Sequence, residues 1–273
     1  MIEIIQAIIF GIIQGITEYL PISSTAHLIL FENFVGFDTQ FFDMFKVVIQ
    51  FGSILAVVIL FWHKLWPWSS RKSKTEQVMT LNLWGKIIVG VIPAGVIGVL
   101  FNDVVDSVLS YNWVIAIALI FYGIIFILIE NQHRHPKVGD LNEITYGQAF
   151  AIGCFQVLAL IPGTSRSGST IIGASLIGFS RTLASEFSFF LAVPVMAGAS
   201  LVKVIKFGFN YTGNEIILLI IATVVSFVVS VLAIRFLLSY IRKHDFKVFG
   251  YYRIVLGIII FILLLLNLMP LHY

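Results

Sequence analysis

Six stretches of this chain are apolar for long enough to cross a lipid bilayer, and nothing else in it constrains the fold as tightly. About 20 helical residues span the roughly 30 Å of hydrocarbon. Such runs occur at approximately 44–62, 85–101, 111–130, 186–205, 216–239 and 251–269. Of the 273 residues, 59% are apolar and 11% charged, against about 25% charged in soluble domains. The chain is therefore read as an all-α polytopic membrane protein, and not as a disordered or nucleic-acid-binding one. The opening Met-Ile-Glu-Ile-Ile has no basic region, and no small-residue cleavage site precedes Gly11, so the first apolar segment is expected to stay in the mature protein.

Two further apolar segments, 4–34 and 147–180, are broken in the middle. Pro21 with Ser23, Ser24 and Thr25 interrupts the first; Pro162, Gly163 and a Ser/Thr-rich run interrupt the second. Backbone groups freed at membrane depth must be buried in protein or line a wet cavity, so each segment is expected to form a re-entrant helical hairpin. Basic residues concentrate in 63–86 (Lys64, Arg71, Lys72, Lys74, Lys86), 131–146 (Arg134, Lys137) and 240–250 (Arg242, Lys243, Lys247). The positive-inside rule makes these loops cytoplasmic and puts both termini outside. The connections 31–43, with Glu32, Asp38 and Asp43, and 102–110, with Asp103 and Asp106, are poorer in Lys and Arg, although 203–215 holds Lys203 and Lys206. Trp62, Trp66, Trp68, Trp84 and Trp113 fall near span ends, as in an aromatic belt. The single Cys154 allows no intrachain disulfide and is expected to be a small packing residue.

The broken segments resemble each other. Gly11, Gln14 and Pro21 precede Ile-Ser-Ser-Thr; about 142 residues on, Gly153, Gln156 and Pro162 precede Gly-Thr-Ser-Arg-Ser. The order hairpin, span, span, span occurs twice, in halves of about 1–135 and 136–273. Three crossings per half is an odd number, so the second copy is expected upside down: an inverted-topology repeat whose hairpins enter from opposite faces and meet near the midplane. That architecture suits either a secondary transporter or an intramembrane enzyme.

Glu18 is an ionisable group deep in an apolar segment, where such a group points to function; Gln14, four residues earlier, shares its helical face. Ser24 and His27 are spaced i, i+3, which predicts that the imidazole exchanges a proton with the hydroxyl during nucleophilic attack. Ser23 and Thr25 either cap the following helix or donate to a ligand. In the second tip, Arg166 sits among Ser165, Ser167, Ser169 and Thr170, between two glycines that let backbone approach a ligand. Such a group forms a cradle for phosphate, unless Arg166 merely pairs with Glu18. Carboxylate, imidazole, guanidinium and hydroxyls together suit phosphoryl transfer. The carboxylates are too few for a two-metal site, so at most one divalent cation, shared between Glu18 and the substrate phosphates, is expected. A substrate that is itself a lipid phosphate or pyrophosphate would explain the six spans. Glu186 is expected to partner Arg181 or Arg166.

At these residues the chain resembles the bacterial undecaprenyl-pyrophosphate phosphatase family, also called the bacitracin-resistance protein family. The likeness runs over essentially the whole length and rests on the block Gln14 to His27, the Pro162 to Thr170 element and the run Ala184 to Pro194. Gln14 stands where many members have Glu. The resemblance implies hydrolysis of undecaprenyl pyrophosphate to undecaprenyl phosphate at the outer face of the bacterial cytoplasmic membrane, recycling the carrier of peptidoglycan and conferring bacitracin resistance. It also implies stimulation by a divalent cation, Mg2+ or Ca2+, and a homodimer. With the residue reading, it assigns Ser24 as nucleophile, His27 as its proton partner and Glu18 as general acid/base or metal contact. Arg166 becomes the phosphate clamp, with Ser165, Ser167 and Thr170 donating to phosphate oxygens and Gln14 orienting the group. Direct attack by His27 remains the competing assignment.

Overall fold

The computed structural model describes residues 1–32, 37, 39–132, 135–208 and 211–272. Asp38 and Arg134 lie outside them, and the side chains of Asp103 and Asp106 are likewise not described. The described residues are mainly helical. The chain opens with α1 (Ile2–Thr17) and α2 (Ser24–Glu32), continues through α3 (Thr39–Val48), α4 (Gln50–Leu60), the short α5 (Trp62–Leu65) and α6 (Lys74–Leu109), and reaches α7 (Asn112–Asn131). Then come α8 (Tyr146–Val157), α9 (Arg166–Ile177), α10 (Arg181–Phe207), α11 (Gly213–Ile241) and α12 (Lys247–Leu265).

Among the described residues six helical stretches are long and apolar enough to cross a membrane: Gln40–Leu60, Lys74–Phe101, Asn112–Asn131, Arg181–Phe207, Gly213–Ile241 and Lys247–Leu265. They coincide with the six expected spans, and the protein is a multi-pass membrane protein. The helices outrun the apolar runs most at the two ends of α6. Ser73 and Glu76 form a capping box, so α6 starts at Lys74 rather than near 85. At its other end α6 continues to Leu109, so the connection expected at 102–110 is mostly helix.

The long arm of each expected hairpin, α1 or α8, packs on a span from the other half of the sequence. The main partner of α1 is α11, and that of α8 is α6. Both contacts depend on glycine. A Cβ on Gly11 would stand 2.7 Å from the Ala222 carbonyl oxygen of α11, and one on Gly153 would run into the Gly90 carbonyl of α6. Small residues let helix backbones approach this closely where lipid offers no hydrophobic drive for association. Hydroxyls add polar glue: Ser53 Oγ lies 3.0 Å from Ser226 Oγ and accepts from Ser230 Oγ at 2.9 Å, joining α4 to α11. The outer faces of α6 and α11 stay apolar and exposed, with Ile88, Ile92, Val96, Val224, Val228 and Leu232 turned toward lipid. Cys154 is also exposed, because it occupies the outer face of α8 instead of a packing position.

Candidate active site

Each hairpin arm stops where its sequence stops supporting a helix. After Glu18, which closes α1, the chain turns through Pro21 and restarts at Ser24; after Leu160 it turns through Pro162 and restarts at Arg166. Both restarts use the same device. Ser23 (φ 73°) and Ser165 (φ 72°) hold a positive φ that serine rarely adopts. The Ser23 hydroxyl accepts the Ala26 N–H at 3.4 Å, and the Ser165 hydroxyl accepts that of Gly168 at 3.2 Å. The N-termini of α2 and α9, with their unpaired N–H groups and positive dipole ends, therefore converge on one place.

The two tips touch. Ser167 donates to the backbone carbonyls of Glu18 (3.1 Å) and Leu20 (3.4 Å) across the junction. Arg253 of α12, fully buried, spans it from behind. Its Nη1 donates to the Pro21 carbonyl at 3.1 Å, and its Nη2 donates to those of Gly163 and Thr164 at 2.9 Å each. Sequence reasoning missed Arg253, although the rule that singled out Glu18 applies to it equally: it is an ionisable residue inside an apolar span.

Glu18 is the hub. One carboxylate oxygen, Oε2, accepts from Gln14 Nε2 and from Ser24 Oγ, both at 3.0 Å, and the other, Oε1, accepts from Arg166 Nη2 at 3.3 Å. The side chains of Glu18 and Arg166 are 7% and 11% exposed, so the pair is shielded yet reachable. Arg166 Nη1 is held by the Ser188 carbonyl at 2.9 Å, while its Nε has no partner in the protein. The ion pair weighed from sequence is thus present, with Ser24 on the opposite carboxylate oxygen.

Glu18, Ser23, Ser24, Thr25, Ser165 and Arg166 form the polar wall of a cavity of about 770 Å³. The lining also includes apolar residues of α6 and α10, among them Val91, Ala94, Pro194 and Val202, together with Lys203 and Lys206 of α10. A lining that mixes polar, cationic and apolar side chains suits an amphiphile with an anionic head.

Several expectations need correction. His27 does not meet Ser24. Its Nδ1 lies 2.7 Å from the Ser23 carbonyl, which can only accept, so Nδ1 carries the proton and Nε2 accepts from the Tyr252 hydroxyl at 2.7 Å. The group that touches Ser24 is Glu18. Ser167 and Thr170 are fully buried and off the cavity wall; Thr170 shares a 2.7 Å contact with Ser188 Oγ and donates to backbone. Their hydroxyls bind the protein to itself. Gln14 is fully buried behind Glu18 and acts on it alone. Glu186 pairs with Lys64 at 2.6 Å, and Arg181 pairs with Glu130, so neither expected partnership forms.

The described residues do not by themselves cage a metal. Among them Glu18 is the one carboxylate on the cavity wall, and both its oxygens already accept hydrogen bonds. Among the described residues no three His, Cys, Asp or Glu side chains gather as ligands.

The family model for bacitracin resistance protein BacA matches residues 7–259. The chain belongs to the BacA family. Its BacA-like sequence is 56% identical over 262 residues to undecaprenyl-diphosphatase 1 of Clostridioides difficile (strain 630), covering 95% of this chain and 96% of the relative. Relatives named undecaprenyl-diphosphatase in Desulfitobacterium hafniense and Limosilactobacillus fermentum are each 54% identical, over 266 and 268 residues. Those alignments take in 95% of this chain and 95% and 97% of the relatives. The family assignment therefore extends over hairpins and spans alike.

Proposed function

We propose that this BacA-family protein hydrolyses undecaprenyl pyrophosphate to undecaprenyl phosphate and inorganic phosphate, at the outer face of the bacterial cytoplasmic membrane. The activity renews the lipid carrier of the cell wall and underlies bacitracin resistance. One observation carries the chemistry: Ser24 Oγ donates to Glu18 Oε2 at the wall of a cavity lined by both polar and apolar side chains. The names of the relatives supply the substrate.

In this reading the terminal phosphate seats against Ser24 and Arg166, at the positive ends of α2 and α9. Glu18 takes the Ser24 proton as the Oγ–P bond forms and the bond to the lipid-linked phosphate breaks. The leaving group is a phosphate monoester dianion, stable enough to depart without a strong acid, so one carboxylate suffices. Water then attacks the phosphoserine; as the Oγ–P bond breaks, Glu18 returns its proton to the departing Ser24 oxygen and the water's protons leave with the phosphate as dihydrogen phosphate. Arg166 neutralises the equatorial oxygens through its fork of donors, with Nε free to join. His27, bonded to Tyr252, orients the Ser23 backbone and with it the start of α2. Any divalent cation, Mg2+ or Ca2+, belongs to the substrate phosphates rather than to a protein cage, and the family resemblance extends the proposal to a homodimer.

Purified protein should release phosphate from undecaprenyl pyrophosphate, and acid quench should trap phosphate on Ser24. Phosphate trapped on His27 would remove Ser24 from its role. Lipid movement without phosphate release would replace hydrolysis by transport.

A further inference from the structure

Gln156 lines the same cavity but takes no part in the arrangement above. Its side chain is 2% exposed, and neither amide atom, Nε2 or Oε1, has a hydrogen-bonding partner in the protein. Buried polar groups left unpaired are strongly disfavoured, and those that persist do so for a reason. The matching position of the first hairpin shows what is different. There Gln14 donates to Glu18, one helical turn on. Four residues after Gln156 stands Leu160, an apolar side chain on the cavity wall. The second amide is thus buried at the cavity wall with nothing of its own to bind.

We propose that Gln156 is a substrate-binding residue that holds the lipid-linked phosphate of the polyprenyl pyrophosphate; this rests on the hydrolase reading. The nucleophile fixes the terminal phosphate at Ser24 and Arg166, so the second phosphate lies beyond them, toward the lipid tail. Gln156 is placed for that station. It projects from α8, the arm that packs on α6, and α6 supplies part of the apolar lining. Nε2 donates to a non-bridging oxygen of the bound pyrophosphate. After cleavage Nε2 keeps donating to a non-bridging oxygen of the freed monophosphate dianion. A neutral amide grips both forms without a second fixed positive charge that would retain the product.

The test is Gln156→Leu, which keeps the volume and removes both polar atoms. KM for the polyprenyl pyrophosphate should rise about tenfold or more, the equivalent of one charge-assisted hydrogen bond, with a smaller change in kcat. Inhibition by polyprenyl monophosphate should weaken in proportion, while inhibition by inorganic phosphate, seated at Arg166, stays as in the parent. The melting temperature in detergent should hold or rise, because an unpaired amide has gone. KM and monophosphate inhibition both within twofold of the parent would overturn the proposal. Gln156→Glu, the same size and still polar, keeps the question open to measurement if the Leu variant fails to fold: its KM should rise further, and an unchanged KM overturns the proposal equally. If the parent releases no phosphate, the hydrolase reading falls by itself. Direct binding of polyprenyl monophosphate to parent and Gln156→Leu then decides, with weaker binding by the variant upholding the inference and equal binding refuting it.

Discussion

The two hairpin tips share a backbone and differ in chemistry. Ser23 and Ser165 take the same unusual φ and cap the same turn of the following helix, and a glycine on each long arm admits a span from the opposite half. Where the first tip continues with Ser24, the second has Arg166; where the first arm ends in Glu18, the second has Leu160. In the proposed mechanism one tip carries nucleophile and base and the other the clamp, so that neither holds a complete site. The two tips thus match in backbone and differ in the side chains they carry.

Removing the nucleophile is the hardest blow to this division of labour. Ser24→Ala should lower phosphate release by about 10⁴-fold or more and abolish the trapped phosphoenzyme; residual turnover near the parent rate would mean that the first tip does not supply the attacking group. On the other tip, Arg166→Lys keeps the charge but loses the planar fork, and kcat should fall about 10²–10³-fold. A loss confined to KM would make Arg166 a docking residue instead. Arg253→Met tests the joint between the tips. It strands three backbone carbonyls, which should cost about 2–4 kcal/mol in denaturant unfolding in mixed micelles, and loosening the junction should lower kcat as well. Unchanged stability would show that the tips hold together without it. The smallest effect is expected at the shared device. Ser23→Gly and Ser165→Gly each relieve about 1 kcal/mol of positive-φ strain and lose a cap worth a few tenths of a kcal/mol. Both should unfold at or slightly above the parent midpoint. Opposite signs for the two would break the equivalence of the tips.

Much of this was legible in the sequence because a bilayer penalises polar groups so heavily that each one placed there carries information. The six spans, the two interruptions, and Glu18, Ser24 and Arg166 all follow from that penalty. Arg253 was legible by the same rule and was overlooked among the aromatic residues that begin the last span. What the sequence does not encode locally is the choice of partner. His27 lies three residues from Ser24, yet bonds Tyr252 from 225 residues away, and Glu186 finds Lys64 across 122. Ser167 and Thr170 read as ligand donors because their hydroxyls stand beside Arg166, but helix rotation turns them to the protein interior. Helix spacing tells which side chains share a face, not which neighbour that face meets.

The exchange of arms between halves bears on how the protein is made. The principal neighbour of α1 is α11, roughly 200 residues later, so at a synthesis rate of about 5–20 residues per second the first broken segment waits some 10–40 s before its seat exists. Throughout that interval Arg253 has not been made, so the Pro21 carbonyl lacks the donor that braces it. Newly inserted chains should therefore pass through a stage in which this segment is open to proteases and to chaperones of the membrane, and a ribosome stalled ahead of Gly213 should hold them there.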